Sequence, residues 1–293
     1  MIDEKQNIKL TFSGHDTFHC RHLWLKKGYD FIKRGNRFSQ ENAVLELGVG
    51  KNMVSAIGFW MKAFGLLTSE GKLTEVADYI FNDVNGKDPY IEDEGTLWLL
   101  HHLLVKTDYA SIYNWIYNEF RREKIEFTKE HFISFVSRKI DEYNLNQISK
   151  NTIATDFEVF IKMYAVPEST KDKEENLTGL LTELNLLQKV TLSFSIPNDE
   201  KNNIPEEIIL FSILDNDDFI NSISLYSLEH EKNHVGSVFA INRSGLVNKI
   251  ESIVANNKLR KFRITYNDHA GIKELQIREK PNKYEVLNIY YAE

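Results

Sequence analysis

ENAVLELGVGKNMVSAIGFWMKAF, residues 41–64, carries the pattern that decides the fold class. Glycine tolerates the left-handed conformation that ends a helix, so Gly48 stops a short helix at Leu47, and after a three-residue turn a second helix begins at Lys51. This is helix-turn-helix spacing. In the second helix Met53, Ile57, Trp60 and Phe64 recur at i, i+4, i+7 and i+11, one apolar stripe for a core. Lys51, Asn52, Ser55 and Lys62 lie on the other side, and these are the residue types with which a recognition helix reaches base edges and phosphates. Phe59 also falls on that outward side and needs a packing partner of its own. Residues 66–68 and 72–74, joined by a turn at 69–71, have the outline of a small β-wing, with a helix following over 75–81. The string LGVGKN invites a phosphate-loop reading but fails it twice. Leu45 stands where the first glycine belongs, and Asn52 stands where the magnesium-binding hydroxyl belongs.

Upstream, FSGHDTFHCRH (residues 12–22) is the densest polar run. On a helix, His15 and His19 would share a face, with His22 one turn on, a spacing that can hold a metal. A simpler account is structural: Gly14 turns the chain, Asp16 or Thr17 caps a helix, and Phe18, Leu23 and Trp24 supply its buried side. No metal site, cofactor or catalytic set is therefore expected. His15, Asp16 and Arg21 remain a candidate anion or small-ligand group at a helix start, and Arg21, Lys26 and Lys27 extend the basic face.

A net charge of −7 opposes nucleic-acid binding, because phosphate contacts supply most of the affinity in such complexes. The distribution tempers this: residues 1–64 hold ten Lys/Arg against six Asp/Glu, whereas residues 65–120 hold three against ten. A 42% hydrophobic, 12% aromatic composition over 293 residues implies folded cores in two or three units. The one cysteine, Cys20, excludes an internal disulfide framework or a multi-cysteine metal site. The start MIDEKQNIKL has no apolar signal region, and no later run is long and apolar enough for a membrane span, so a cytoplasmic protein is expected.

Further along, DPYIEDEGTLWLLHH (88–102) places Glu92, Asp93 and Glu94 at the start of an apolar helix, where acids complement the helix dipole. They are read as capping residues rather than a catalytic pair. His101 is expected at the core edge and His102 at the surface. Helical periodicity runs over 109–120 and 128–144. After a Ser149 cap it runs again over 150–164, a second helix-turn-helix outline with Lys150, Asn151 and Thr155 exposed. PESTKDKEEN (167–176) reads as a linker. Beyond it come a short Leu-rich helix, a strand at 190–196, a helix opened by Pro205, a helix at 244–256, and strands at 260–266, 272–278 and 286–291, with a turn at 267–271. The expected fold is mainly α with small β elements (α+β), built of winged-helix or helix-turn-helix-like modules. Its units are a winged-helix-like domain at 1–104, a second helix-turn-helix-like unit at 105–166, and an α+β domain at 177–293.

The segments FSGHDTFHCRHLWLKKGYDF, LGVGKNMVSAIGFWMKAFGLL and DPYIEDEGTLWLLHHLL, in this order and spacing, resemble a bacterial family catalogued only as a domain of unknown function. The resemblance implies a genomic setting among sulfur-transfer and phosphoadenosine-phosphosulfate-reductase-like genes of DNA phosphorothioation and phage-defence islands. It designates no catalytic residues. Together these readings lead us to expect a non-enzymatic DNA-binding accessory or regulatory protein, its partners double-stranded DNA and proteins of a DNA-modification or defence complex. The competing expectation is a protein-interaction adaptor of a sulfur-transfer or nuclease complex, docking through the acidic 65–120 segment.

Overall fold

In the computed structural model, which describes residues 10–166, 178–269 and 271–292, the chain is mainly helical with two small antiparallel sheets, an α+β fold. The expected linker at 167–176 lies outside the described residues. Helices α1 (Trp24–Lys33), α2 (Ala43–Leu47) and α3 (Lys51–Ala63) form the first cluster, and Gly48 ends α2 at φ +64° as its position requires. The expected wing is a miniature hairpin: Leu67 and Leu73 form an antiparallel bridge, and α4 (Glu75–Phe81) follows.

Helix α5 (Glu94–Lys106) is buried at every position from Gly95 to Val105. Asp93 caps it, accepting from the backbone N–H groups of Gly95 and Thr96. An all-round apolar helix must be enclosed by other elements, and α5 is, with α6 and α10 among its neighbours. His101, fully buried, bonds through Nδ1 to the Tyr164 hydroxyl and through Nε2 to the Val238 carbonyl, both at 2.8 Å. Since a carbonyl only accepts, Nε2 carries the proton, and Nδ1 accepts from the tyrosine. His102 is buried too, against its expected surface position. Its partners are Ser212 and Asp215, more than a hundred residues away and invisible from a local stretch of sequence.

The next helices form a continuous rod: α6 (Ser111–Trp115), a π-helical turn (Ile116–Phe120) and α7 (Arg121–Glu123). Strand β1 (Glu126–Phe127), α8 (Lys129–Glu142) and α9 (Lys150–Tyr164) follow, with Ser149 capping α9 as expected. After a 3-10 turn (Thr182–Leu184), β2 (Gln188–Val190) and β3 (Ser193–Ser195) complete a sheet of order β1-β3-β2. The single strand expected at 190–196 is thus a tight hairpin, broken where Thr191 takes a left-handed conformation (φ +54°).

The last portion has a related connectivity, with three helices instead of two between its first strand and its hairpin. Helix α10 (Glu206–Leu214) is followed by β4 (Ser222–Ser224), α11 (Leu225–His230), α12 (Val235–Val238) and α13 (Arg243–Ala255). A 3-10 turn (Asn257–Phe262) then leads into β5 (Ile264–His269) and β6 (Ile272–Ile277). The sheet order is β4-β6-β5. Residues 286–291, expected as a strand, lie in helix α14 (Lys283–Tyr290) or just past it. Their dense apolar and aromatic content imitates a strand, but Asn282 caps the helix through Tyr284 N–H, and α14 packs along α10. Tyr290 then donates to Asp93 (2.7 Å) and the Tyr291 hydroxyl meets that of Thr96 (2.7 Å), closing the chain on the first turn of α5.

Two polar clamps tie the rod to the last portion. The Asn114 and Asn118 side-chain amides both donate to Asn233 Oδ1, and Asn118 Oδ1 accepts from Asn233 N–H at 2.7 Å. Arg121, buried enough that its guanidinium is pushed down to about 10, donates to the carbonyls of Gly236 and Ser237. No helix of the described residues is long and apolar enough to cross a membrane.

Burial pushes His101 down to about 3, far below the 6.5 of a free imidazole. The unfolded chain therefore binds a proton on this residue between pH 6.5 and 3 that the folded chain refuses. The contribution is intact above pH 6.5 and is lost as pH falls through that window, by up to ~1.4 kcal/mol per pH unit. In urea titrations the midpoint should drop from pH 7 to pH 5, and His101→Gln, though less stable at pH 7, should show a shallower drop. Parallel slopes for the two proteins would assign the acid sensitivity elsewhere.

Candidate nucleic-acid interface

Helix α3 is buried from Val54 onward apart from Ser55 and the half-buried Lys62. Its first turn projects outward and leaves Lys51, Asn52 and Ser55 exposed, with Ser55 Oγ donating back to the Lys51 carbonyl (3.4 Å). Gly50 caps this end without any side-chain bond, so the first backbone N–H groups are not taken up by a capping side chain. Lys62 lies eleven residues on along the same stripe, roughly 16 Å away at 1.5 Å per residue.

Between those ends the outward side of α3 is covered. Phe59, which lacked a partner in sequence, packs under the FSGH loop: the His15 ring meets it edge-on (5.4 Å) and stacks on Trp60 (5.6 Å, 7°). A Cβ on Gly14 would lie 2.4 Å from the Phe59 ring, so only glycine fits there. On the other flank Phe38 lies over Gly58.

The loop itself is held tightly. Ser13, Asp16 and Thr17 all have positive φ (65°, 47° and 70°), each a strained conformation that persists only under strong anchoring. The anchors are Trp60 Nε1 donating to the Phe18 carbonyl (3.0 Å), Thr11 N–H donating to Ser111 Oγ (3.0 Å), and Ser13 N–H donating to both oxygens of Asp156 (3.0 and 3.1 Å). Asp156 is 2% exposed on α9 and also faces His15 Nε2 at 3.4 Å. The loop thus bridges the two helix-turn-helix outlines. Asp156 was not singled out in the sequence, although its place on the apolar stripe, three residues after Ile153, was a signal: a carboxylate there demands a partner.

The candidate residues therefore separate. Lys51, Asn52 and Ser55 come together on one open turn. Lys27 is exposed on α1, and Arg21 is half-buried with its guanidinium over Trp24 (5.2 Å). Lys26 points inward, 6% exposed, and is consumed by Asp30 (2.7 Å), Asp83 (2.5 Å) and the Phe81 carbonyl (3.2 Å). Of the candidate small-ligand group, His15 is inside the loop and Asp16 outside it. Cys20 is buried, and burial pushes its thiol up, away from the reactive thiolate.

A second polar cluster has the composition of a hydrolytic triad. Ser212 Oγ meets His102 Nδ1 at 3.0 Å and His102 Nε2 meets Asp215 at 3.0 Å. Its geometry argues against nucleophilic chemistry. Ser212 is 2% exposed and does not line the neighbouring cavity of about 380 Å³. Burial raises the Asp215 pKa, but His102, Lys106 (2.8 Å) and the other bonds to the carboxylate outweigh it and hold it well below the usual carboxylate range. Lys283 takes the remaining oxygen at 2.6 Å.

The chain belongs to a family of proteins of unknown function, DUF4007, whose pattern it matches over residues 12–291. No curated protein sequence matches it significantly. Two crystal structures are similar, one of SspB and one of magnesium-ion-bound SspB. Each is 25% identical in sequence and aligns over 96% of this chain and 88% of that one, with TM-scores of 0.84 and 0.83.

Asp156→Ala should cost ~1–3 kcal/mol, since it removes the buried carboxylate that accepts from Ser13 N–H and faces His15. Thermal unfolding should show a fall of several degrees with unchanged helical content; an unaltered midpoint would mean the loop is not held through this carboxylate.

Proposed function

We propose that this DUF4007 member is a DNA-binding accessory or regulatory protein of a bacterial DNA-modification system of the phosphorothioation type, or of phage defence, acting in the cytoplasm through winged-helix units. The observation that carries this reading is the first turn of α3. It is the exposed end of an otherwise enclosed helix, and it combines a cation, an amide, a hydroxyl and an uncapped helix N-terminus, a set suited to phosphate and base edges. The connectivity supports it. In each of two portions a helix, a strand, a set of helices and a hairpin follow one another with the first strand beside the third, an order that supports a winged-helix reading of both; two helices lie between β1 and β2, and three between β4 and β5. The leading α2–turn–α3 segment with the Leu67–Leu73 bridge supports reading a third, reduced unit there.

The adaptor reading draws on a different feature from the one the charge pattern pointed to. Three acids of residues 65–120 are paired within the chain: Asp78 serves Tyr29 and Lys33, Asp83 serves Lys26, and Asp93 caps α5. What favours docking is Leu45, 84% exposed on α2 beside Val44.

Lys51→Glu combined with Ser55→Asp puts acids where a helix dipole welcomes them, so the fold should be unharmed. In anisotropy titrations with duplex DNA the variant should bind at least tenfold more weakly and lose about one unit of salt slope. Equal affinity for wild type and variant would remove α3 from DNA contact; retention of DNA binding with loss of a copurifying protein in Leu45→Asp would add the adaptor role.

A further inference from the structure

The most cationic short stretch of the chain lies far from α3, in the 3-10 turn that joins α13 to β5. Asn257–Arg263 reads NKLRKFR, four cations in seven residues without an acid, in a protein whose net charge is −7. Lys258, Arg260, Lys261 and Arg263 are all exposed, whereas Leu259 (1%) and Phe262 (4%) are buried. The two apolar side chains nail the turn to the body and force the charged ones out together. Its backbone is fixed at both ends: the Asn256 side chain accepts from Lys258 N–H, and Arg263 takes a left-handed conformation (φ +50°) before the strand starts.

The chain also returns to this place. Arg278 N–H, at the end of β6, donates to the Arg263 carbonyl at 3.5 Å, and Glu279 N–H donates to that of Phe262 at 3.2 Å. The exposed Arg278 thus joins the four cations on one edge of the hairpin base. Glu279 offsets Arg263 at 3.5 Å, but both are well exposed, so water screens the pair. Arg260 and Lys261 have no carboxylate partner among the described residues. Crowding like charges on a rigid, strained turn costs stability, and the turn's core contacts come from Leu259 and Phe262, with Lys261 lying over the Phe262 ring at 4.8 Å. Multiple donors in a row at a fixed spacing match an anion that is itself repeated, and the repeated anion of a nucleic acid is its phosphate backbone.

We propose that the Lys258–Arg263 turn, together with Arg278, is a second nucleic-acid contact, binding the phosphate backbone at the base of the β5–β6 hairpin. It stands apart from α3 and does not depend on α3 touching DNA. The contact is sequence-independent, because guanidinium and ammonium groups on phosphates fix position without reading bases. It therefore contributes affinity and salt dependence.

The test uses the full chain carrying Arg260→Glu and Lys261→Glu, both exposed, with circular dichroism and the urea midpoint confirming the fold. Against a 30-base-pair duplex, the logarithm of affinity against the logarithm of salt should lose about 1.8 in slope for two phosphate contacts, with at least a tenfold loss of affinity near 0.1 M salt. Several sequences of the same length should be affected equally. Unchanged affinity and slope in this variant overturn the proposal, and if Lys51→Glu/Ser55→Asp alone weakens binding, the α3 reading survives without it. Loss at Arg260/Lys261 with no effect at Lys51/Ser55 supports the turn as a contact and removes α3. Binding of wild type to phosphatidylserine vesicles but not to duplex or single-stranded DNA would assign the cations to a lipid surface and refute the nucleic-acid contact.

Discussion

A buried imidazole with two obligations holds the architecture together. His101 lies in the middle of a helix enclosed on all sides, and each ring nitrogen is spoken for by a different part of the chain, the Tyr164 hydroxyl on α9 and the Val238 carbonyl on α12. Apolar burial has no direction, so it can bring α5 against its neighbours without setting their rotation. The two bonds supply that direction. An unmet donor or acceptor at this depth costs more than a bond returns, so the arrangement of the middle and last portions about α5 is specified as well as stabilised.

The legibility of the fold follows from how far each element's reason to exist lies along the chain. The α2–turn–α3 segment could be read because Gly48, the stripe through Trp60 and the exposed Lys51 are all local. Caps at Ser149 and near Pro205 were local as well. Residues 286–291 misled because aromatic and β-branched side chains suit either a strand or a helix that is covered, and the covering helix α10 lies about seventy residues earlier. The hairpin at 188–195 hid because nothing short of the fold marks Thr191 as left-handed. Of the candidate interface residues, Lys51, Asn52 and Ser55 stayed together. Lys26 left the group because its acids, Asp30 and Asp83, were visible only as surface charge. His102 and Asp156 were missed for the converse reason, each finding its partner more than a hundred residues away.

Charge in this protein is sorted by the fold rather than spread over it. Several acids of the 65–120 segment are paired within the chain, Asp78 and Asp83 with lysines and Asp93 as a helix cap, so part of their charge is offset where it stands. Cations gather on the rigid turn between α13 and β5, and the start of α3 presents the single Lys51. The Asn114–Asn118–Asn233 clamp and Arg121 then fix the middle unit against the last one. Any long ligand reaching both places would meet them at a separation set by the protein interior.

The closure of α14 on α5 has a consequence for the chain during synthesis. Asp93 waits for Tyr290, and Thr96 for Tyr291, so nearly two hundred residues must be translated after the start of α5 before its first turn is sealed. At about 5–20 residues per second that interval is roughly 10 to 40 s. During it an almost wholly apolar helix has left the ribosome without its lid. Any pause in translation before Tyr290 lengthens the time that the first turn of α5 waits for its closing partners.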